Sequence, residues 1–375
     1  LILDGLYPKV YLHAGFQIYE GLNLLIHLSY RFSALSPKLF MAQVLFYHFH
    51  QWSMLSPLLL IAYRILGSFV FVLLCFSFWK KSFLVLVEKI FVFLNKWKQN
   101  TFLMRFHVYG SLSLFSFLLL LLCRNKKQQF ILFLCLLVLK TYPLKAQVCF
   151  IDVGQGDSTL ISLPFQARNY LFDTGRSFAY QSLKSDLHAL GIGKVNTLLI
   201  SHDDKDHCEN KDALLFDFFI DKVIEKKQES YEIFNILLAD KDFDDANENS
   251  LILSFNIWGW RFLMTGDAYQ KQELQMLREG LNRYDVLKLG HHGSKTSSHP
   301  QFIAHIRPRY GIVSASSRYY QHPHPQVMAI LRQFAVKPLL TEKEGTICFY
   351  LWPKIGIIRT KEGGFGIITK GESHD

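Results

Sequence analysis

The chain changes character near Tyr142-Pro143, and that break limits its fold more than any other feature. Before it lie long apolar runs with almost no acid. After it, short β-rich runs alternate with helical ones. Residues 1–147 carry 15 Lys and Arg against 3 acids, Asp4, Glu20 and Glu88, whereas residues 148–375 carry 26 against 28. The net charge of +10 is therefore +12 in the first part and −2 in the second. A hydrophobic, basic half joined to a balanced, polar half reads as a helical membrane region, 1–145, followed by a soluble domain, 146–375. The basic excess reads first as anchoring at lipid headgroups, and it also suits a polyanion such as DNA. The 33 phenylalanines and 50% hydrophobic residues are high for a soluble enzyme and suggest lipid contact somewhere along the chain. The chain starts at Leu1, not Met, and is treated as part of a longer protein.

Met54–Trp79 is apolar apart from Arg64 and long enough to span a bilayer. Tyr109–Cys123 and Phe130–Leu139, with their flanks, are shorter spans. Ser82–Asn95 holds Glu88-Lys89 and fits either a span or an interfacial helix. Leu39–His50 is a further short segment. Three to five membrane elements are expected, and the distribution of Lys and Arg leaves their orientation open.

In the second half, Val148–Val153, Ser158–Leu163, Tyr170–Asp173, Thr197–Ser201, Val286–Leu289 and Gly311–Ser314 read as strands. Leu251–Asn256 and Trp260–Thr265 read as a hairpin turning at Ile257-Trp258-Gly259, and Tyr269–Leu281 and Pro325–Phe334 have helical spacing. Thr346–Leu351 and Ile355–Thr360 are expected as edge strands. The result is a layered α/β domain. None of the six cysteines forms a C-x-x-C pair, and their spacing gives neither a disulfide framework nor a zinc knuckle.

Four clusters carry chemistry. His202-Asp203-Asp204-Lys205-Asp206-His207 follows an apolar strand and offers two imidazoles and two carboxylates at spacings that suit divalent ions, where a solvated acidic loop would not need the histidines. Leu263-Met264-Thr265-Gly266-Asp267 ends a strand in one carboxylate, which alone reads as a helix N-cap. Gly290-His291-His292-Gly293-Ser294-Lys295 ends another. Two adjacent histidines point to opposite sides if extended, so one of the two is expected to bind metal and the other to donate to substrate. His322-Pro323-His324-Pro325 is a stiff loop before a helix. Each cluster stands after a strand or in a loop, where an α/β sheet collects its ligands.

Phe150-Ile151-Asp152-Val153-Gly154-Gln155-Gly156-Asp157-Ser158 resembles the opening of the metallo-β-lactamase domain of DNA-internalisation competence proteins, the ComEC family. Leu171 to Gly175, the H-x-D-x-D-H loop, Leu263 to Asp267, Gly290 to Ser298 and His322 to Pro325 follow in that family's order, so the resemblance covers about residues 148–345. It implies an αββα sandwich after the end of a helical transmembrane competence domain. It also implies uptake of single-stranded DNA, with a nuclease degrading the strand that is not transported. His202, Asp204, Asp206, His207, Asp267 and His291 would hold one or two divalent ions (Mn²⁺ or Zn²⁺, with Mg²⁺ admissible), Asp267 as the bridge. Asp206, His292 and His324 would take part in catalysis, His324 as ligand or proton donor. Ser294 and Lys295 would contact phosphate, and Asp157 and Asp173 would brace the ligands from behind.

Asp204 replaces a histidine common in the wider fold and makes the site harder, favouring Mn²⁺ or Mg²⁺. No histidine lies between His207 and Asp267, so Asn249 or water is expected in that place. Cys208-Glu209-Asn210 stands where the family has Gly-Gly, and bulkier residues there are expected to distort the loop. Expected partners are DNA, the bilayer and other DNA-uptake proteins. The expected location is the cytoplasmic membrane, multi-pass, with the hydrolase domain on the outer face. The competing readings are a membrane-anchored hydrolase of another phosphodiester, such as a choline-phosphate or cyclic nucleotide ester, and a non-catalytic channel whose domain only clamps DNA.

Overall fold

The computed structural model describes residues 143–225, 230–238, 247–317 and 321–370, together with 51–53, 107–109, 125, 127–128, 131–132 and 135. The expected segments Leu39–His50, Met54–Trp79 and Ser82–Asn95 lie outside the described residues, as does Tyr109–Cys123 beyond its first residue. Of Phe130–Leu139 only Ile131, Leu132 and Cys135 are described, and they are helical. Among the described residues no helix is long and apolar enough to cross a membrane. Two compact units divide the chain, Leu1–Thr141 with His188–Gly191, and Tyr142–Leu187 with Ile192–Asp375. In the first, Gln51–Ser53 (β1) pairs antiparallel with His107–Tyr109 (β2).

The second unit is built on two mixed sheets. The first takes Ala146–Phe150 (β3), Thr159–Ser162 (β4), Asn169–Phe172 (β5), Lys194–Leu199 (β6) and Phe219–Ile224 (β7). The second takes Ser230–Tyr231 (β8), Phe234–Leu237 (β9), Ile252–Ile257 (β10), Trp260–Met264 (β11), Val286–Lys288 (β12), Tyr310–Val313 (β13) and Lys337–Leu340 (β14). The chain then returns to the first sheet with Ile347–Leu351 (β15), Ile355–Thr360 (β16) and Phe365–Thr369 (β17). The strand orders are β17-β16-β15-β3-β4-β5-β6-β7 and β14-β13-β12-β11-β10-β9-β8. The strand β15 is thus interior, between β16 and β3, and β17 is the edge, which corrects the expectation of two edge strands. The β10–β11 hairpin turns on Trp258-Gly259, both at positive φ, with Ile257 paired to Trp260. Two left-handed residues suit the twist of a tight hairpin.

Alternation along the strands divides the side chains between two apolar layers. Val148, Phe150, Phe172, Phe262 and Phe349 meet between the sheets, where Phe262 and Phe349 pack edge to face at 6.0 Å. Leu263, Leu287 and Val313 point the other way, onto Gln270–Arg278, Pro300–Ile306 and Pro325–Gln333 through Met276, Phe302 and Leu331. On the outer side of the first sheet, Cys149, Leu160, Leu171 and Leu198 are fully buried, as are Leu183 and Leu187 of Tyr180–Ala189. In chain order the helices are α1 (Tyr180–Ala189), α2 (Lys205–Cys208), α3 (Lys211–Asp217), α4 (Gln270–Arg278), α5 (Pro300–Ile306), α6 (Pro325–Gln333) and α7 (Thr341–Glu344). The layering is αββα.

One feature runs against the sequence reading: Cys149 and Cys348, 199 residues apart, form a disulfide. They are direct partners in the β3–β15 register, which no cysteine spacing reveals.

Candidate metal centre

Every cluster named from the sequence follows a strand, and the parallel pairs bring those strand ends together. β5 and β6 run parallel with Phe172 beside Leu199, so Asp173 stands next to the chain entering the H-x-D-x-D-H loop. β11 and β12 run parallel with Met264 beside Lys288, so Asp267 and the His291-His292 pair emerge together. The two groups meet where strand ends of the two sheets adjoin.

His207 is fully buried and central. Its Nδ1 lies 2.9 Å from Asp173 Oδ2, and a carboxylate only accepts, so Nδ1 carries the proton. Nε2 then points into the cage, 3.3 Å from Asp267 Oδ1. Asp173 also accepts the Ser201 N–H at 2.7 Å and so fixes the loop that carries the histidine. His292 repeats the arrangement. Its Nδ1 donates to the Ser314 carbonyl at 2.9 Å, and Nε2 lies 3.4 Å from Asp206 Oδ2 and 3.5 Å from Asp267 Oδ2. His202 holds Nδ1 against the Ser201 hydroxyl at 2.9 Å, with Nε2 3.5 Å from Asp204 Oδ2.

His292 and not His291 sits in the buried group. Both residues and Gly293 have positive φ, so the chain curls instead of extending, and the opposite-sides expectation does not hold. His291 is partly exposed, with Nδ1 2.9 Å from the Thr296 hydroxyl and Nε2 4.0 Å from Asp267. Asp157, expected behind the ligands, is inside: Asp157, His207, Asp267 and His292 each offer an atom, and all four atoms lie within 4.8 Å of one another. His324 is the N-cap of α6, its Nδ1 3.3 Å from the Gln326 N–H. His322, named in the same cluster but given no role of its own, lines the cleft instead. The Ser294 hydroxyl is buried against Thr296, and Lys295 is exposed, its carbonyl accepting from Gln270. Asn247, not Asn249, lines the cleft.

Nor does the Cys208-Glu209-Asn210 stretch distort the loop. Asn210 is buried and its side-chain amide donates to the carbonyls of Thr174 at 2.8 Å and Arg176 at 2.7 Å, while Glu209 accepts the Ser177 N–H. The bulkier residues tie the loop down. The Cys208 thiol donates to the Asp203 carbonyl.

The donor set fits a divalent ion. His202 Nε2, His207 Nε2, His292 Nε2, Asp157 Oδ1 and Asp267 Oδ1 are buried and have no hydrogen-bond partner. Native proteins rarely leave such atoms unpaired, and Asp157, His207, Asp267 and His292 each offer an atom within 4.8 Å of the others. Electrostatics agree. Burial would lower the His207 pKa, but Asp267 and Asp173 raise it well above the usual value. Burial acts likewise on His292, which Asp267 and Asp157 bring to about 9. Against the effect of burial, the imidazoles hold Asp267 well below the usual carboxylate range. A cage that draws protons onto its histidines is one that needs positive charge. Mixed imidazole and carboxylate donors suit Zn²⁺ and Mn²⁺. The cleft above, about 360 Å³, is lined also by Arg176, Lys205, His291 and His322.

Two face-to-face mixed sheets with helices outside, and an Asp/His cage at their strand ends, define the metallo-β-lactamase class of fold. Comparison with known proteins narrows this. The chain is 29% identical over 262 residues to ComE operon protein 3 of Bacillus subtilis, covering 56% of this chain and 34% of that protein. It is 31% identical over 227 residues to competence protein ComA of Neisseria gonorrhoeae, covering 55% and 32%. It is 31% identical over 215 residues to recombination protein 2 of Haemophilus influenzae, covering 50% and 26%. The chain is thus similar to competence and recombination proteins, and it spans about a third or less of their length. No family model matches it. Among solved structures, the metallo-β-lactamase fold protein YhfI of Bacillus subtilis aligns with 52% of this chain and 95% of its own at 9% identity, with a TM-score of 0.37.

Proposed function

We propose that the chain is part of a multi-pass protein of the cytoplasmic membrane that takes up single-stranded DNA in natural transformation. Its second unit would be a metal-dependent phosphodiesterase that degrades the strand left outside. The observation that carries the reading is the buried convergence of Asp157, His207, Asp267 and His292 in a chain similar to competence proteins.

Asp157, His207, Asp267 and His292 would hold one ion, with Asp206 beside His292, and His202 and Asp204 would offer donors for a second. A bound divalent ion supplies electrophilic stabilisation of phosphoryl oxygens and makes water acidic enough to react near neutral pH. The protein's own groups do the rest. Asp173 and the Ser314 carbonyl fix the tautomers of His207 and His292, keeping both Nε2 atoms turned inward. Arg176 and Lys205 bring positive charge to the cleft, where it attracts phosphates. His291 and His322 reach the same cleft from less buried positions. The Thr296 hydroxyl donates to Ser294 Oγ and so accepts from His291 Nδ1, which leaves His291 Nε2 bare as an acceptor or ligand.

The Cys149–Cys348 disulfide supports placing this unit on the outer face, because such bonds persist in oxidising compartments. DNA, the bilayer and other uptake proteins are the partners this reading requires.

The test is cleavage of end-labelled DNA by the purified full chain with Mn²⁺. Asp206→Ala should lose more activity than the about 10–100-fold that loss of an outer hydrogen-bond partner costs. Unchanged cleavage by that variant, or faster turnover of a cyclic nucleotide than of DNA, would sink the reading.

A further inference from the structure

We infer that Lys288 is a positioning residue of the metal centre, acting through Asp157 to fix the carboxylate oxygen and the imidazole that face the cation. This rests on the metal reading above. In β12, Val286 joins the layer between the sheets and Leu287 the layer beneath the helices. Alternation therefore points Lys288 between the sheets, where an apolar side chain is expected. It is 1% exposed. Its ammonium donates to Asp157 Oδ2 at 2.8 Å and to the Leu289 carbonyl at 3.2 Å.

Asp157 comes from the other sheet, in the loop between β3 and β4. Its N–H donates to the Asp206 carbonyl at 3.0 Å. The approach requires the preceding glycine: a Cβ on Gly156 would stand 2.3 Å from that carbonyl oxygen. With Oδ2 taken by Lys288, Oδ1 is left without a hydrogen bond, 3.3 Å from His292 Nδ1 and within the four-residue group. Asp157 thus faces the cage with one oxygen only. An unpaired buried charge is costly, so neither partner is expected to keep this geometry alone. Without Lys288, the carboxylate is free to turn both oxygens toward the cage and away from His292. Lys288 also offsets one of the negative charges gathered there.

A plain staple between two sheets would have the same hydrogen bonds but no effect on metal affinity. The experiment is calorimetric titration of the metal-free full chain with Mn²⁺, for wild type, Lys288→Met, Asp157→Asn and the double variant, with thermal unfolding of each metal-free form. Lys288→Met should weaken Mn²⁺ binding at least tenfold. The double variant should match the weaker single variant, because both act through one carboxylate. Wild-type affinity in Lys288→Met, with only a lower melting temperature, would reduce the pair to a staple and overturn the inference. So would single effects that multiply in the double variant. Should Lys288→Met not fold, the double variant has no unpaired charge and is compared with Asp157→Asn. Equal affinities support the inference and a further tenfold loss overturns it. A wild type that binds no Mn²⁺ would overturn the metal reading and this one together, whereas tight binding by both wild type and Lys288→Met would overturn this one alone.

Discussion

The carboxylates around His207 and His292 favour their charged forms, and both imidazoles must give up a proton when a cation arrives. Because their folded pKa values are raised, to about 9 for His292 and well above the usual value for His207, both are charged at pH 7 in the metal-free protein. Metal affinity should therefore rise with pH up to about 9, by up to about a hundredfold per unit while two protons leave together. Titration of the full chain with Mn²⁺ in buffers of different ionisation enthalpy should show close to two protons released per ion at pH 7. Release of none would mean that both imidazoles are already neutral. At this scale the sequence was informative wherever a ligand type followed an apolar strand, as with His202, Asp206 and Asp267. It misled at His291-His292, because three consecutive left-handed residues are a backbone choice that the letters do not print. Lys288 left one trace, an ammonium inside an otherwise apolar strand, and its partner lies 131 residues away.

The loop from Gly290 to His299 that carries both histidines is held by α4 as well as by its own hydrogen bonds. Glu273 on α4 is fully buried and accepts the N–H groups of Ser298 at 2.8 Å and His299 at 2.6 Å. Burial outweighs those two bonds and pushes its carboxyl up to about 8. The folded protein then keeps a proton that the unfolded chain releases above about 4.5. Stability is favoured below that value, falls as pH rises toward about 8, and is flat beyond it as far as this group is concerned. Glu273→Gln is neutral throughout and should lose this slope. Between pH 5 and 8 the metal-free wild type should lose several degrees of melting temperature more than the variant, at roughly 2–4 °C per kcal/mol for a domain of this size. Parallel decline of the two would show that Glu273 is ionised in the fold. Apolar runs broken by a turn, such as β10 and β11 on either side of Trp258-Gly259, were legible in advance. The edge strand β17 was not, since Phe365 and Ile367 are exposed and the pattern mimics a buried strand. The Asn210 bonds show why a substitution read alone misleads. A bulky residue in place of glycine looks disruptive until its amide is seen to close the loop on Thr174 and Arg176.

Across the whole second unit, the first strand of the fold and one from its last turn of sheet lie side by side, and the Cys149–Cys348 disulfide joins them. Closing 199 residues in this way removes unfolded-state freedom worth about 5 kcal/mol on the chain-entropy account. A bond so placed reports on where the unit folds. Both sulfurs are buried beneath α1-side packing, so once formed the bond is shielded, and it forms only where thiols are oxidised during folding. If the unit lies outside the membrane, acid-quenched cells alkylated without reductant should yield a linked pair of peptides containing Cys149 and Cys348. Cys208, which is free, should be alkylated in the same sample once the protein is unfolded. Recovery of Cys149 and Cys348 as two alkylated thiols would place the unit on the reducing side. There it could not meet a strand discarded during import, and degradation of that strand would have to be given up even if the metal cage binds as described.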